Sequence, residues 1–154
     1  MPRTDEASGV VAAPIERVYA ALVDPVALEA WLPPDGMSGR FEHFDLRPGG
    51  TYRMVLTYDA PSAAAKTTAD SDVVEARFME IVPGRRVVQA VDFVSDDPRF
   101  AGTMTMSWAV SEVPDGTRVD IRADDVPDGI SAEDHATGLR SSLANLARYL
   151  GNAG

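Results

Sequence analysis

Residues 131–150 read SAEDHATGLRSSLANLARYL, and this stretch decides how the rest of the chain is read. Leu139, Leu143, Leu146 and Leu150 recur at steps of four, three and four, which lines them along one face of a helix at 3.6 residues per turn. Ser131 offers a cap, and Glu133 and Asp134 put negative charge where the helix dipole favours it. The leucine face must be buried. Roughly eighty residues of strand-like pattern precede it, too many for one flat sheet, so the natural partner is the concave side of a bent antiparallel sheet.

Working back from the helix, residues 103–113 and 117–124 form a hairpin around Asp115-Gly116, a strong two-residue turn signal. Met104, Met106, Trp108 and Val110 alternate with Thr103, Thr105, Ser107 and Ala109. In the partner strand Val119, Ile121 and Ala123 alternate with Arg118, Asp120 and Arg122. One face is apolar and the other wet. Residues 73–82 and 86–94 make a second hairpin at Pro83-Gly84, which suits a type II turn. Residues 40–46 and 51–58 make a third around Arg47-Pro48-Gly49-Gly50, and residues 60–72, rich in Ala, Ser and Thr, read as a mobile loop bordering a pocket. Near the start, residues 7–12 are a short strand. Pro14 opens a helix that stops before Pro25, and Asp24 caps a second short helix that Pro33 and Pro34 end.

At 154 residues this layout fits one domain, residues 1–154. Apolar residues at 45% and charged residues at 25% place it among globular chains. Its formal charge of −10 disfavours nucleic acid and anionic lipid surfaces. Without cysteine there is no disulfide scaffold, thiolate metal site or thiol nucleophile. Residues 1–9 carry charge and no apolar run, and no stretch approaches the ~18 apolar residues of a membrane span, so a cytoplasmic location is expected.

The element order, together with the residues Ala13-Pro14-Ile15-Glu16-Arg17-Val18-Tyr19 leading to Trp31, Asp45-Leu46-Arg47-Pro48-Gly49-Gly50, Glu80-Ile81-Val82-Pro83, Phe100-Ala101-Gly102-Thr103-Met104, and Glu133-Asp134-His135 to Gly138 followed by Arg140-Ser141-Ser142-Leu143, resembles one superfamily. It is the START-like or Bet v 1-like (SRPBCC) superfamily, and within it the activator of Hsp90 ATPase homologue 1-like proteins. The resemblance covers nearly the whole chain. It implies an α+β helix-grip fold: a curved, antiparallel, seven-stranded sheet wrapped around a long C-terminal helix, with two short helices after the first strand and a cavity between the layers. It implies no single activity, since relatives range over lipid carriers, polyketide cyclases and co-chaperone domains. Leu139 stands where many relatives carry an aromatic residue.

The side chains expected to face that cavity are Trp31, Phe41, His43, Tyr52, Met54, Tyr58, Phe93, Met104, Met106, Trp108, Ile121, Leu139 and Leu143. Aromatic and methionine groups suit a small apolar or aromatic ligand. Such alternation is also what a plain core displays, and a slip of one residue would put Arg53 inside in place of Tyr52 and Met54. His43, on the same side as Phe41 and Asp45, is the sole candidate for proton transfer, while His135 is expected to be solvated. There is no serine elbow, EF-hand spacing, phosphate loop or dinucleotide fingerprint, so neither metal nor cofactor is expected. Three readings stand: an apolar-ligand binder, a chaperone-associated or other protein-interaction module, and a cyclase-like enzyme using His43. The chain is read as a monomer or homodimer.

Overall fold

The computed structural model describes residues 3–33, 36–58, 71–93, 98–100 and 102–152. Strand β1 (Asp5–Val11) leads into helices α1 (Ile15–Val23) and α2 (Pro25–Trp31), followed by β2 (Met37–Phe44), β3 (Thr51–Tyr58), β4 (Ser71–Val82) and β5 (Arg86–Phe93). A 3-10 turn (Pro98–Phe100), β6 (Met104–Val113), β7 (Gly116–Asp124) and the 21-residue helix α3 (Ala132–Asn152) complete the order. All seven strands join one antiparallel sheet in the order β1-β7-β6-β5-β4-β3-β2, a curled half-barrel carrying three helices. The expected α+β helix-grip architecture is the one found. None of the described helices is long and apolar enough to cross a membrane.

Local chemistry explains most boundaries. The Asp24 side chain accepts the Val26 N–H at 3.0 Å, and Pro25 sits at the first position of α2, where its missing N–H costs nothing. Ser131 Oγ accepts the Asp134 N–H at 3.0 Å and so caps α3. Gly84 takes φ 75° in the turn closed by Arg85 N–H to the Val82 carbonyl. The β6–β7 hairpin differs from the expectation: Val113 pairs with Gly116, so the two loop residues are Pro114 and Asp115. Proline presets the first loop residue there, and Gly116 carries the positive φ at the start of β7. Strand β2 begins three residues earlier than expected, and β4 already starts at Ser71; residues 60–70 of the expected loop lie outside the described residues.

Directly paired residues in an antiparallel sheet share a face, so the registers lay rows of side chains across the concave side. One row holds Ala7, Ile121, Trp108 and Val87; the next holds Ala123, Met106, Gln89 and Phe78. A third holds Met104, Val91, Ala76, Tyr52 and Phe44. Register shifts between Phe41 and His43 and between Phe78 and Glu80 mark bulges, which sharpen the local bend and help curl the sheet.

The core divides in two. The first part gathers α1, α2 and all four α3 leucines over β6 and β7, including Trp31, Trp108, Val110, Val119 and Ile121. The second gathers Tyr52, Met54, Val74, Ala76, Phe78, Val87, Val91, Met104 and Ala123 with Val126 and Ile130. Tyr19, Val23, Leu32, Phe41, Phe44 and Met106 pack against both and form the seam.

The start of α3 is tied to β1 by a group that local sequence does not reveal. His135 Nδ1 lies 2.7 Å from Asp5 Oδ2, their side chains only 13% and 11% exposed, so His135 is not solvated as expected. Arg3 also binds Asp5 and donates to the Ile130 carbonyl. Burial alone would raise the Asp5 carboxyl, but hydrogen bonds from His135 and Arg3 outweigh it and hold the pKa below its ordinary value of 3.8. A depressed carboxylate adds stability that is complete above its unfolded pKa and disappears as pH falls through the folded one. Asp5→Asn should therefore cost about 1–3 kcal/mol at pH 7, and the gap from wild type should shrink below pH 3.8. Urea titrations at pH 7, 5 and 3 measure this; a gap unchanged down to pH 3 would rule it out.

Candidate functional site

The candidate site lies on the concave face of β2–β5, beside the seam. Its floor is aromatic. Phe41 meets Phe44 edge-on with ring centroids 4.9 Å apart and Tyr52 at 5.2 Å, and Phe44 stacks on Tyr52 at 5.9 Å. Phe78 lies 5.6 Å from Phe44 and 5.8 Å from Tyr52. Helix α2 holds this arrangement from the side, because Glu29 Oε2 accepts the Phe41 N–H at 2.7 Å on the edge strand. Met54, Leu56, Val74 and Val91 extend the apolar wall, with Met104 and Met106 toward α3.

Buried polar groups interrupt that wall at two places. The Tyr52 hydroxyl points at Gln89 Oε1 over 3.4 Å, long for a hydroxyl donor, and Gln89 is 7% exposed. Complete burial keeps the Tyr52 phenol far above its ordinary range. At the end of the β3–β4 pair, the Tyr58 hydroxyl donates to Asp72 Oδ2 at 3.2 Å, with Asp72 1% exposed. Burial and the neighbouring Asp72 carboxylate push the Tyr58 phenol up to about 12, so both phenols are hydrogen-bond donors at neutral pH.

The residues named from sequence distribute unevenly over this geometry. Tyr52 and Met54 are buried on the concave face, 5% and 2% exposed, and Arg53 faces out between Glu42 and Glu75. Tyr58, Met104 and Met106 share that face, and Phe41 lies at the seam. Trp31, Trp108, Ile121, Leu139 and Leu143 belong instead to the first part of the core. The Trp31 N–H donates to the Ala21 carbonyl at 2.9 Å, and its ring meets Trp108 edge-on at 5.5 Å. The Phe93 side chain lies outside the described residues, although its backbone pairs with Val74.

His43 is a correction. It is exposed, pairs in register with Arg53 on the outer face and sits 3.1 Å from Thr51 Oγ1. The bulge between Phe41 and His43 is the cause: one extra residue turns Phe44 inward beside Phe41 and sends His43 outward. His43 is therefore not placed to move a proton inside the fold. Sequence reading also missed Asp72 and Gln89. Asp72 closes the run 60–72, whose lack of period reads as a loop, and Gln89 stands in the run Val87-Val88-Gln89-Ala90-Val91, which is apolar on both faces.

Comparison with known proteins accords with the fold. The model of the activator of Hsp90 ATPase homologue 1-like family matches residues 12–151. A structure from Chromobacterium violaceum is 32% identical, covering 96% of each chain with a TM-score of 0.85. One from Rhodobacter sphaeroides is 22% identical over 98% of this chain and 94% of its own, at a TM-score of 0.79. DynU16, a protein of the dynemicin biosynthetic locus, shares the fold at 18% identity and a TM-score of 0.71, over 97% of this chain and 48% of its own. No functionally curated protein matches. On its sequence and its half-barrel closed by a C-terminal helix, this chain belongs to the activator of Hsp90 ATPase homologue 1-like family of SRPBCC-type domains.

Proposed function

We propose that the protein binds a small apolar or aromatic molecule on the concave face of β2–β5, beside the seam between the two parts of the core. The observation that carries this reading is the split core. All four α3 leucines engage the first part, while the second presents an aromatic floor with hydroxyl and amide groups among its side chains. A core built only for stability gains little from buried polar groups held by long contacts, whereas a binding wall uses a few of them to orient a ligand. Domains of this type commonly bind hydrophobic ligands, which supports the same reading.

Native and denaturing mass spectra of gently purified protein, recorded side by side, test the proposal. A reproducible small molecule present in the native spectrum and lost on denaturation is the expected result. A bare chain mass, combined with no thermal shift across neutral lipids, aromatic alcohols and polyketide mimics, would overturn it and direct attention to protein partners.

A further inference from the structure

We infer that the ligand carries a carbonyl or an equivalent hydrogen-bond acceptor on its apolar body, and that the Gln89 side-chain amide receives it. This rests on the binding proposal above and names the chemistry of the same site. Gln89 stands in β5, the central strand, between Phe78 of β4 and Met106 of β6, and is 7% exposed. Its oxygen takes the Tyr52 hydroxyl at 3.4 Å, whereas its nitrogen has no partner among the described residues. Yet no side-chain nitrogen or oxygen sealed from solvent goes unpartnered among those residues. The Gln89 nitrogen therefore reaches open space on the concave face. The seam gives access to it: the six side chains packed against both parts of the core, Met106 among them, are all only partly buried.

An amide N–H among apolar side chains is costly to leave unpaired, and a leucine or methionine at this position would avoid the cost. A ligand acceptor removes it on binding. Tyr52 gives the site a direction. Complete burial keeps its phenol protonated, so the O–H donates to Gln89 Oε1 and holds the amide with its two N–H groups turned away from Tyr52. A ketone, ester or quinone oxygen satisfies such a donor while its ring lies on the aromatic floor of Phe41, Phe44, Tyr52 and Phe78. An alkyl group leaves the N–H unpaired. A hydroxyl brings a proton of its own, which must compete with Tyr52 for Gln89 Oε1.

Gln89 is the only glutamine in the chain, so protein grown with glutamine labelled at its side-chain nitrogen gives a single NH2 pair in the NMR spectrum. Two probes of one shape make the test: 2-acetylnaphthalene, which carries the acceptor, and 2-ethylnaphthalene, which lacks it. The ketone should move one proton of the pair downfield of its position with the ethyl compound, and that proton should show a direct contact to the acetyl methyl. By calorimetry, Gln89→Met should weaken the ketone about tenfold relative to the ethyl compound. Tyr52→Phe, which frees Gln89 Oε1, should raise the affinity of the matching alcohol relative to the ketone by about threefold. An NH2 pair that responds alike to both probes, or a Gln89→Met variant that weakens both equally, would overturn the inference while leaving the site intact. Saturable binding of neither probe would overturn the site itself. Should a variant fail to fold, the labelled wild-type protein still decides.

Discussion

Trp31→Ala should lower the free energy of unfolding by about 3–5 kcal/mol, the range for deleting a large buried aromatic side chain. Trp31 is 0% exposed and ends a helix of only seven residues. So short a helix has no stability of its own in water and depends on its anchor. The ring supplies that anchor through its edge-on contact with Trp108 and through its N–H to the Ala21 carbonyl, which joins α2 to both β6 and α1. Since α2 also holds Phe41 through Glu29, the loss should reach the binding face and not only the first part of the core. The chain has two tryptophans, so Trp108 remains as a fluorescence reporter of urea unfolding in the variant. Trp31→Phe keeps a ring and loses the hydrogen bond, and should fall between the variant and wild type. A loss below about 1 kcal/mol for Trp31→Ala would show that the surroundings collapse into the space and that Trp31 is no anchor.

Where the sequence was legible, a repeating pattern met a single kind of burial. The alternation through Met104, Met106, Trp108 and Val110 and the leucine spacing of α3 each admit one buried face, and the structure buries it. Legibility ended where the pattern broke or the partner was remote. Phe41 and Phe44 are three apart, a spacing no regular strand places on one face; that spacing is itself the signal of a bulge between them. In Pro114-Asp115-Gly116, proline's preset φ outranked the Asp-Gly preference. His135 finds its partner 130 residues away in Asp5, a pairing that no local window contains. The polar positions of the site were the least legible. Asp72 gains its meaning only from the β3–β4 register, which places it opposite Leu56 and within reach of Tyr58.

Gly116→Ala should cost about 2–4 kcal/mol, combining backbone strain with a steric clash. Gly116 has φ 140°, a conformation that L residues with a Cβ rarely adopt. A Cβ there would stand 2.2 Å from the Val11 carbonyl oxygen and 3.0 Å from Ala12 Cα, both backbone atoms with little freedom to yield. The closeness is built into the fold. Chain leaving β1 must cross the end of the β6–β7 hairpin to reach α1, and the fully buried Thr117 fastens that crossing by donating its hydroxyl to the Ala13 carbonyl at 2.8 Å. Gly84→Ala separates the two contributions, because Gly84 also has positive φ, 75°, yet its added Cβ would meet nothing within 4 Å. Strain alone should make Gly84→Ala cost about 1 kcal/mol, so the excess in Gly116→Ala measures the clash. If chemical denaturation finds the two variants equally stable, the crossing between β1 and α1 is able to move aside, and the hairpin end does not fix where α1 and α2 sit over the sheet.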